Sequence, residues 1–434
     1  MAAPVFDDLV GQEPVVAQLE QAAAAAAGLL RGEPSLGMTH AWLFTGPPGS
    51  GRSVAARAFA AALLCPDQGC GHCPSCHQVR AGTHPDLMLV RPDGLSYGVK
   101  QTRDLVLRAA GAPSGGRWQV VLFEDADRAT EQAANALLKA IEEPSPRTVW
   151  LLCAPSAEEL VTTIRSRCRL VTLRTPAATA VAEVLSRRDG VDPAAALAAA
   201  RAAQGHIGRA RRLATDPEAA QRRDEVLRVP ARITSLGSAL SAAAGLVKGA
   251  EQEAAAVTEE LNVPEREALR KAFGEGSTGK GVAKAVRGAA GALKDLEDRQ
   301  KSRATRLKRD ALDRALLDLA AFYRDVLVIQ LGAADGREPD AGDGRELDAG
   351  DGRDVDAGDG LGLGAGGGLE PGAGDGLELA SAGHEDDLRR VAADTTAEST
   401  VRRMEAIMTC RERLEVNVAP LLAIEELTLA LLAG

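Results

Sequence analysis

The sequence predicts an α/β protein: a doubly wound parallel sheet carrying a phosphate-binding loop, continued by helices alone. Three observations carry this. Short apolar runs alternate with helical stretches over the first 175 residues, the arrangement of parallel βαβ units. The segment Gly46-Pro-Pro-Gly-Ser-Gly51-Arg52-Ser53 lies between an apolar run and a helical stretch, the setting a phosphate loop requires. From residue 176 onward, alanine-rich helical patterns continue with no strand signal.

The first strand is Ala41-Trp-Leu-Phe-Thr45, entering the glycine loop, and a helix follows over 54–64. Further strands are expected at 87–90, 119–123, 149–153 and 170–173, with helices near 99–110, 130–142 and 157–165 between them. A small helical unit then covers 176–215, and helices continue from about 216, including 307–331 and 387–432. At 434 residues the chain is long enough for two to four cores. Its 45% hydrophobic and 26% charged content is ordinary for a globular protein, and its 3% aromatic content suits helices packed through small side chains. No apolar run reaches membrane-spanning length and no signal pattern opens the chain, so a cytoplasmic location without membrane contact is expected.

Fifteen acids against three arginines between residues 335 and 386 account for more than the whole net charge of −10. The rest of the chain is near neutral, which leaves room for a local basic face. Within that stretch, residues 336–359 hold three octapeptides of the form Gly-Arg-acid-x-Asp-Ala-Gly-Asp. Gly-Asp repeats also occur in calcium-binding β-rolls, but these octapeptides lack the period of nine and the glycine pairs of that fold. A disordered acidic insertion over 333–385 is expected, because so little apolar surface cannot offset the entropy of ordering.

The loop has the frame of an ATP site with one part changed. Its glycines allow backbone N–H groups to converge on phosphate, and a serine hydroxyl suits Mg²⁺, but Arg52 stands where the lysine belongs. The matching acids should end an apolar strand, and Val120-Val-Leu-Phe-Glu124-Asp125 does so in the order Glu–Asp rather than the usual Asp–Glu. Those acids could equally do no more than cap the strand and the next helix. The degenerate nucleotide site would comprise Gly46, Gly49, Gly51, Arg52, Ser53, Glu124 and Asp125, with ATP or ADP bound weakly or not at all.

Seven cysteines in a cytosolic chain are not expected to form disulfides. Four of them, Cys65, Cys70, Cys73 and Cys76, fall within twelve residues with two C-x-x-C steps. That pattern suits tetrahedral thiolate ligation of a structural Zn²⁺, with an iron–sulfur cluster as the competing metal. Cys153, Cys168 and Cys410 read as small core residues. Arg167, in Ser166-Arg167-Cys168, could be a solvated surface residue or a cation offered to a neighbouring subunit's ATP.

Taken together, these segments resemble the delta prime subunits of bacterial DNA polymerase III, a branch of the AAA+ clamp-loader family. The resemblance runs through Phe6-Asp-Asp-Leu-Val-Gly-Gln12, the stretch from His40 to Gly49, the four-cysteine module and Glu124-Asp-Ala-Asp127. It continues through the stretch from Ala134 to Pro144, Thr163-Ile-Arg-Ser-Arg-Cys168, and Arg411-Glu-Arg-Leu-Glu-Val-Asn417. It implies an AAA+ domain over 1–175 with a zinc module at 65–76, a helical lid over 176–230, and a helical collar over 231–434 interrupted by the insertion. It also implies a ring with gamma/tau ATPase subunits and delta that opens a sliding clamp and places it on primed DNA. Arg167 would then be an arginine finger acting in trans. The chain departs from active relatives at Arg52, at the Glu124–Asp125 order, at Gly208 where the lid arginine is expected, and at Ala154-Pro155-Ser156 where a polar sensor is usual. These departures argue for a member without intrinsic hydrolysis, so that any polymerase activity would belong to the holoenzyme. A gamma/tau-type ATPase is the nearest rival. A zinc-dependent DNA-binding module is another, although residues 60–80 hold Arg80 as their only cation.

Overall fold

The computed structural model describes residues 3–34, 37–92, 94–115, 117–272, 282–332, 379–381, 383–416 and 418–434. Five strands form one sheet in the order β2-β3-β4-β1-β5, every neighbouring pair parallel. They are β1 (Ala41–Thr45), β2 (Leu87–Val90), β3 (Gln119–Phe123), β4 (Thr148–Ala154) and β5 (Arg169–Thr172). Each expected strand is present to within one residue at either end.

Side chains alternate across a strand, so each strand feeds two cores. On one face Trp42 and Phe44 pack under α1 (Glu13–Leu30) and α2 (Arg52–Leu64), where the Trp42 and Phe59 rings meet edge to face at 4.9 Å. Helix α3 (Pro74–Ala81) follows α2 in the cysteine module. On the other face Leu43, Val121, Trp150 and Leu152 lie against α4 (Val99–Ala109) and α5 (Glu131–Glu142). Fully burying an aromatic or aliphatic side chain of this size contributes roughly 1.5–3 kcal/mol, and these two layers hold the sheet. The helix expected over 157–165 is confined to α6 (Thr162–Arg165). Leu160 turns into the core and Val161 is extended (φ −56, ψ 134), which ends any helix before it.

Helices α7 (Ala178–Asp189), α8 (Pro193–Ala202) and α9 (Ile207–Thr215) enclose a small core of Val181, Leu185, Ala196, Ala200 and Ala210. The Asp192-Pro193 pair starts α8 for a local reason. The Asp192 carboxylate accepts from the Ala194 and Ala195 amides at 3.0 and 3.1 Å, and the proline occupies a position needing no donor. Helix α10 (Pro217–Leu227) runs out of this unit, and Leu227 packs with Leu246, Leu312 and Leu316 of the C-terminal core. That core is built from α11 (Val229–Arg232), the long α12 (Leu236–Ala272) and α13 (Val282–Gln330), α14 (Glu385–Asp394), α15 (Ala397–Glu415) and α16 (Pro420–Ala433).

The acidic octapeptides lie outside the described residues. The span expected as insertion is shorter at its C-terminal edge, because residues 379–381 pack onto the bundle. Ser381 N–H donates to the buried Asp325 carboxylate at 2.8 Å and the Ala380 carbonyl accepts from Arg223 at 3.0 Å. Among the described residues no helix is long and apolar enough to cross a membrane.

Candidate nucleotide site and metal centre

The phosphate loop links β1 to α2 as expected, and its glycines are needed where they stand. A Cβ added at Gly46 (φ 149) would stand only 2.5 Å from the Leu173 carbonyl oxygen, so no side chain fits. Gly49 (φ 92) lies so close to the lid that an added Cβ would stand 2.6 Å from the Cβ of His206, at the start of α9. The lid therefore rests directly on the loop. Gly51 caps α2 in a left-handed conformation and places Arg52 and Ser53 in the first helical turn. The Gly46 N–H donates to the Pro155 carbonyl at 3.0 Å, which pins the start of the loop to the chain after β4. Ser50 Oγ and Arg52 Nη1 are buried with no hydrogen-bond partner. Burial and the nearby Arg209 lower the His206 imidazole below its ordinary value, which keeps it neutral against the Arg52 side of the site.

The two acids are both occupied. Glu124 accepts from Arg91 at 2.7 and 3.2 Å and from Arg57 at 3.4 Å. Asp125 sits in a left-handed turn (φ 50) and is paired at 2.8 Å with Arg306 of α13, which also donates to the Pro92 carbonyl at 2.7 Å. Behind them the Tyr97 hydroxyl donates to the Glu124 carbonyl. Asp127 follows, its carboxyl raised by burial and one oxygen without a partner. A Mg²⁺ ion needs free carboxylate oxygens at this end of the strand, and here arginines hold both oxygens of Glu124 and one of Asp125. The residues present do not fit a hydrolytic Mg–ATP site.

The lid and sensor positions are also diverted. Gly208 offers no side chain, and the guanidinium of Arg209 pairs with Asp318 of α13, away from the loop. Arg212 of α9 reaches Glu253 of α12 and so fastens the lid to the C-terminal bundle, where Arg314 of α13 holds the same carboxylate at 2.7 Å. Arg167 lies at the end of α6, 40% exposed at its side chain, and pairs at 2.7 Å with Glu142 at the end of α5. The same guanidinium donates to the Thr163 carbonyl at 2.8 Å. The partners Arg57, Arg91, Arg306, His206 and Glu142 were not singled out from the sequence. Only Arg57 carried a signal, one helical turn beyond Ser53.

The four cysteines converge. Their sulfurs all lie within 4.8 Å of one another, with Cys65 Sγ 3.6 Å from both Cys70 and Cys73. A tetrahedral centre with Zn–S bonds of ~2.3 Å separates its sulfurs by about 3.8 Å, so the set fits such an ion. Burial alone would raise the Cys65 thiol, but the amides of Cys70, Gly69 and Asp67 bring it down to about 7. Burial and the neighbouring sulfurs push Cys76 up. Cys73 also caps α3, its sulfur accepting from the Cys76 amide at 3.4 Å. Such a site would brace the connection between α2 and β2; it offers no open coordination position for chemistry.

Fold and site together define a class: a P-loop α/β domain whose phosphate loop is retained and whose acids are spent on internal ion pairs. Residues 31–177 match the family described as DNA polymerase III, delta subunit. The delta prime subunit of DNA polymerase III from Pseudomonas aeruginosa is 42% identical over 165 residues, which cover 36% of this chain and 50% of that one. The gamma/tau subunit from Mycobacterium tuberculosis is 36% identical over 168 residues, covering 37% and 27%. The chain thus spans about half the length of the delta prime relative it matches. A solved gamma subunit-related protein of DNA polymerase III from Thermotoga maritima is 15% identical, covers 68% of this chain and 99% of its own, and superimposes with a TM-score of 0.31. Over part of its length the chain is accordingly similar to both kinds of DNA polymerase III subunit, delta prime and gamma/tau.

Proposed function

We propose that this chain is a delta prime-type subunit of a DNA polymerase III clamp loader that does not itself hydrolyse ATP. It would assemble with gamma/tau and delta subunits and act with them in loading the sliding clamp on primed DNA. The observation that carries the reading is the occupation of both acids, Glu124 by Arg57 and Arg91 and Asp125 by Arg306. A carboxylate engaged by guanidinium groups has to give up those partners before it can hold Mg²⁺ or orient water. The lid resting on Gly49 adds to this.

Arg167 is then the residue that acts, on the neighbouring subunit's ATP. In the free chain it is tied to Glu142 in an exposed pair, and such a pair contributes only ~0.2–1 kcal/mol. Exchanging Glu142 for a neighbour's phosphate therefore meets little resistance. The cysteine module would hold Zn²⁺ as a brace. The rival gamma/tau-type ATPase draws on the similarity to gamma/tau over a comparable length.

Two measurements test the reading. The purified chain should show no ATP turnover above background; steady hydrolysis points to the rival. In a reconstituted loader Arg167→Ala should leave assembly intact and lower ATPase, since a trans arginine is worth on the order of 10³-fold at the site it serves. Unchanged ATPase in the assembled ring refutes the finger.

A further inference from the structure

The outer face of the C-terminal bundle carries a surface that nothing above uses. Along α15, Val401, Met404 and Met408 recur at helical spacing. With Leu327 and Leu331 at the end of α13 they line two adjoining open grooves of about 620 and 530 Å³. Val401, Met408 and Leu331 are 42%, 47% and 55% exposed, forming a continuous apolar strip of the kind that marks an interaction surface. The two methionines give the strip an adaptable, polarizable lining.

A second pattern runs beside it. Glu398, Glu405 and Glu412 follow one another at seven-residue intervals on the same helix, and all three border the grooves. None of them makes an ion pair among the described residues, whereas Arg413 on the same helix pairs with Glu426. Among the described residues two cations adjoin the grooves and both are engaged: Arg402 Nε donates to the Gly434 carbonyl at 3.0 Å, and Arg411, beside Met408 Sδ at 3.8 Å, pairs with Asp313 at 2.7 Å. An apolar seam edged by charges at heptad spacing is half of a helix–helix interface, and the edge charges select the partner.

We propose that this seam binds an amphipathic helix of a partner protein whose apolar stripe is edged by lysine or arginine. From Glu398 to Glu412 the seam is about 21 Å long, so about four turns of partner helix match it. The chain's own acidic stretch begins just past Leu331, at the mouth of the groove, but its thirteen acids and three arginines between 333 and 378 make it a like-charged and unsuitable occupant. The proposal concerns a different face from the phosphate loop and stands whether or not the chain hydrolyses ATP.

The probes are two synthetic helical peptides of four to five turns with the same leucine stripe, one edged by lysine and one by glutamate, titrated against the full chain by fluorescence anisotropy. The lysine-edged peptide should bind, weaken with added salt, and lose about tenfold in affinity on the triple variant Glu398→Lys, Glu405→Lys, Glu412→Lys. The glutamate-edged peptide should gain on that variant. The substituted residues are exposed, and circular dichroism checks that the variant is folded. Met408→Asp should abolish binding of either peptide. No binding of the lysine-edged peptide to the wild-type chain, or equal binding to the triple variant, overturns the proposal. A wild-type homodimer that Met408→Asp dissolves in sedimentation also overturns it, since a second copy would then be the occupant.

Discussion

Replacing Arg306 by methionine removes a side chain that ties α13 to the acid-bearing end of β3, while keeping most of its apolar stem. Two contacts outside α13 disappear, the ion pair to Asp125 at 2.8 Å and the bond to the Pro92 carbonyl at 2.7 Å, together with a long 3.7 Å pair to Asp310 within the helix. The side chains of Arg306 and Asp125 are 20% and 31% exposed, so part of the charge-assisted bond, ~1.5–3 kcal/mol when well shielded, is recovered by water. Taking about 1 kcal/mol for it and about 1 kcal/mol for the carbonyl bond gives about 2 kcal/mol, near thirtyfold in local opening. The assay is hydrogen exchange of the 119–129 amides, read by mass spectrometry, in a double-mutant cycle with Asp125→Asn. Asparagine is chosen because Asp125 has φ 50, a conformation asparagine tolerates well. The cycle should return a coupling of about 1 kcal/mol; a value below about 0.3 kcal/mol refutes the claim that Arg306 holds Asp125.

The triple reversion Arg52→Lys, Glu124→Asp, Asp125→Glu rebuilds the motif on paper, yet it should yield no ATP turnover in a phosphate-release assay, because Arg57, Arg91 and Arg306 still face the acids. Brisk hydrolysis by that variant would show that residue identity alone had silenced the site. The purified chain should carry about one zinc per molecule, and Cys70→Ser should lose it with faster exchange confined to 65–81; full protection without metal counts against the centre. Glu253 lies between Arg212 and Arg314; burial would raise its carboxyl, but the two cations pull it below its ordinary 4.5. Its stabilising effect is therefore complete above about pH 4.5 and fades as the pH falls further. Glu253→Gln should lower thermal stability at pH 7 and cost progressively less as the pH falls below about 4.5, and a loss that does not change with pH contradicts the ion-pair account.

The sheet was legible because its inner strands are short, mostly apolar runs bounded by turn residues, and a parallel sheet buried on both faces demands such runs; the edge strand β5, with Arg169 and Thr172, carries the weakest such signal. The phosphate loop and the cysteine cluster were legible because their chemistry depends on spacing along the chain. What decides the site was not. Arg91 meets Glu124 across 33 residues, Arg57 meets it across 67, and Arg306 meets Asp125 across 181. Ion pairs over such separations leave no periodicity to read. The helix expected over 157–165 is shortened to α6 because Leu160 is drawn inward by packing, which overrides local helical preference. The ordering of residues 379–381 depends on Asp325 and Arg223, neither of which is near in sequence.

The fastening of the lid by Asp318 and Glu253 has a mechanical corollary. In a hinged enzyme the cap swings freely so that fuel can enter and spent product can leave. Here a pivot of α9 would first have to break the pairs Arg209–Asp318 and Arg212–Glu253, both with at least one partner largely shielded from solvent. Force arriving at one end is thus passed through to the other as by a stiff beam.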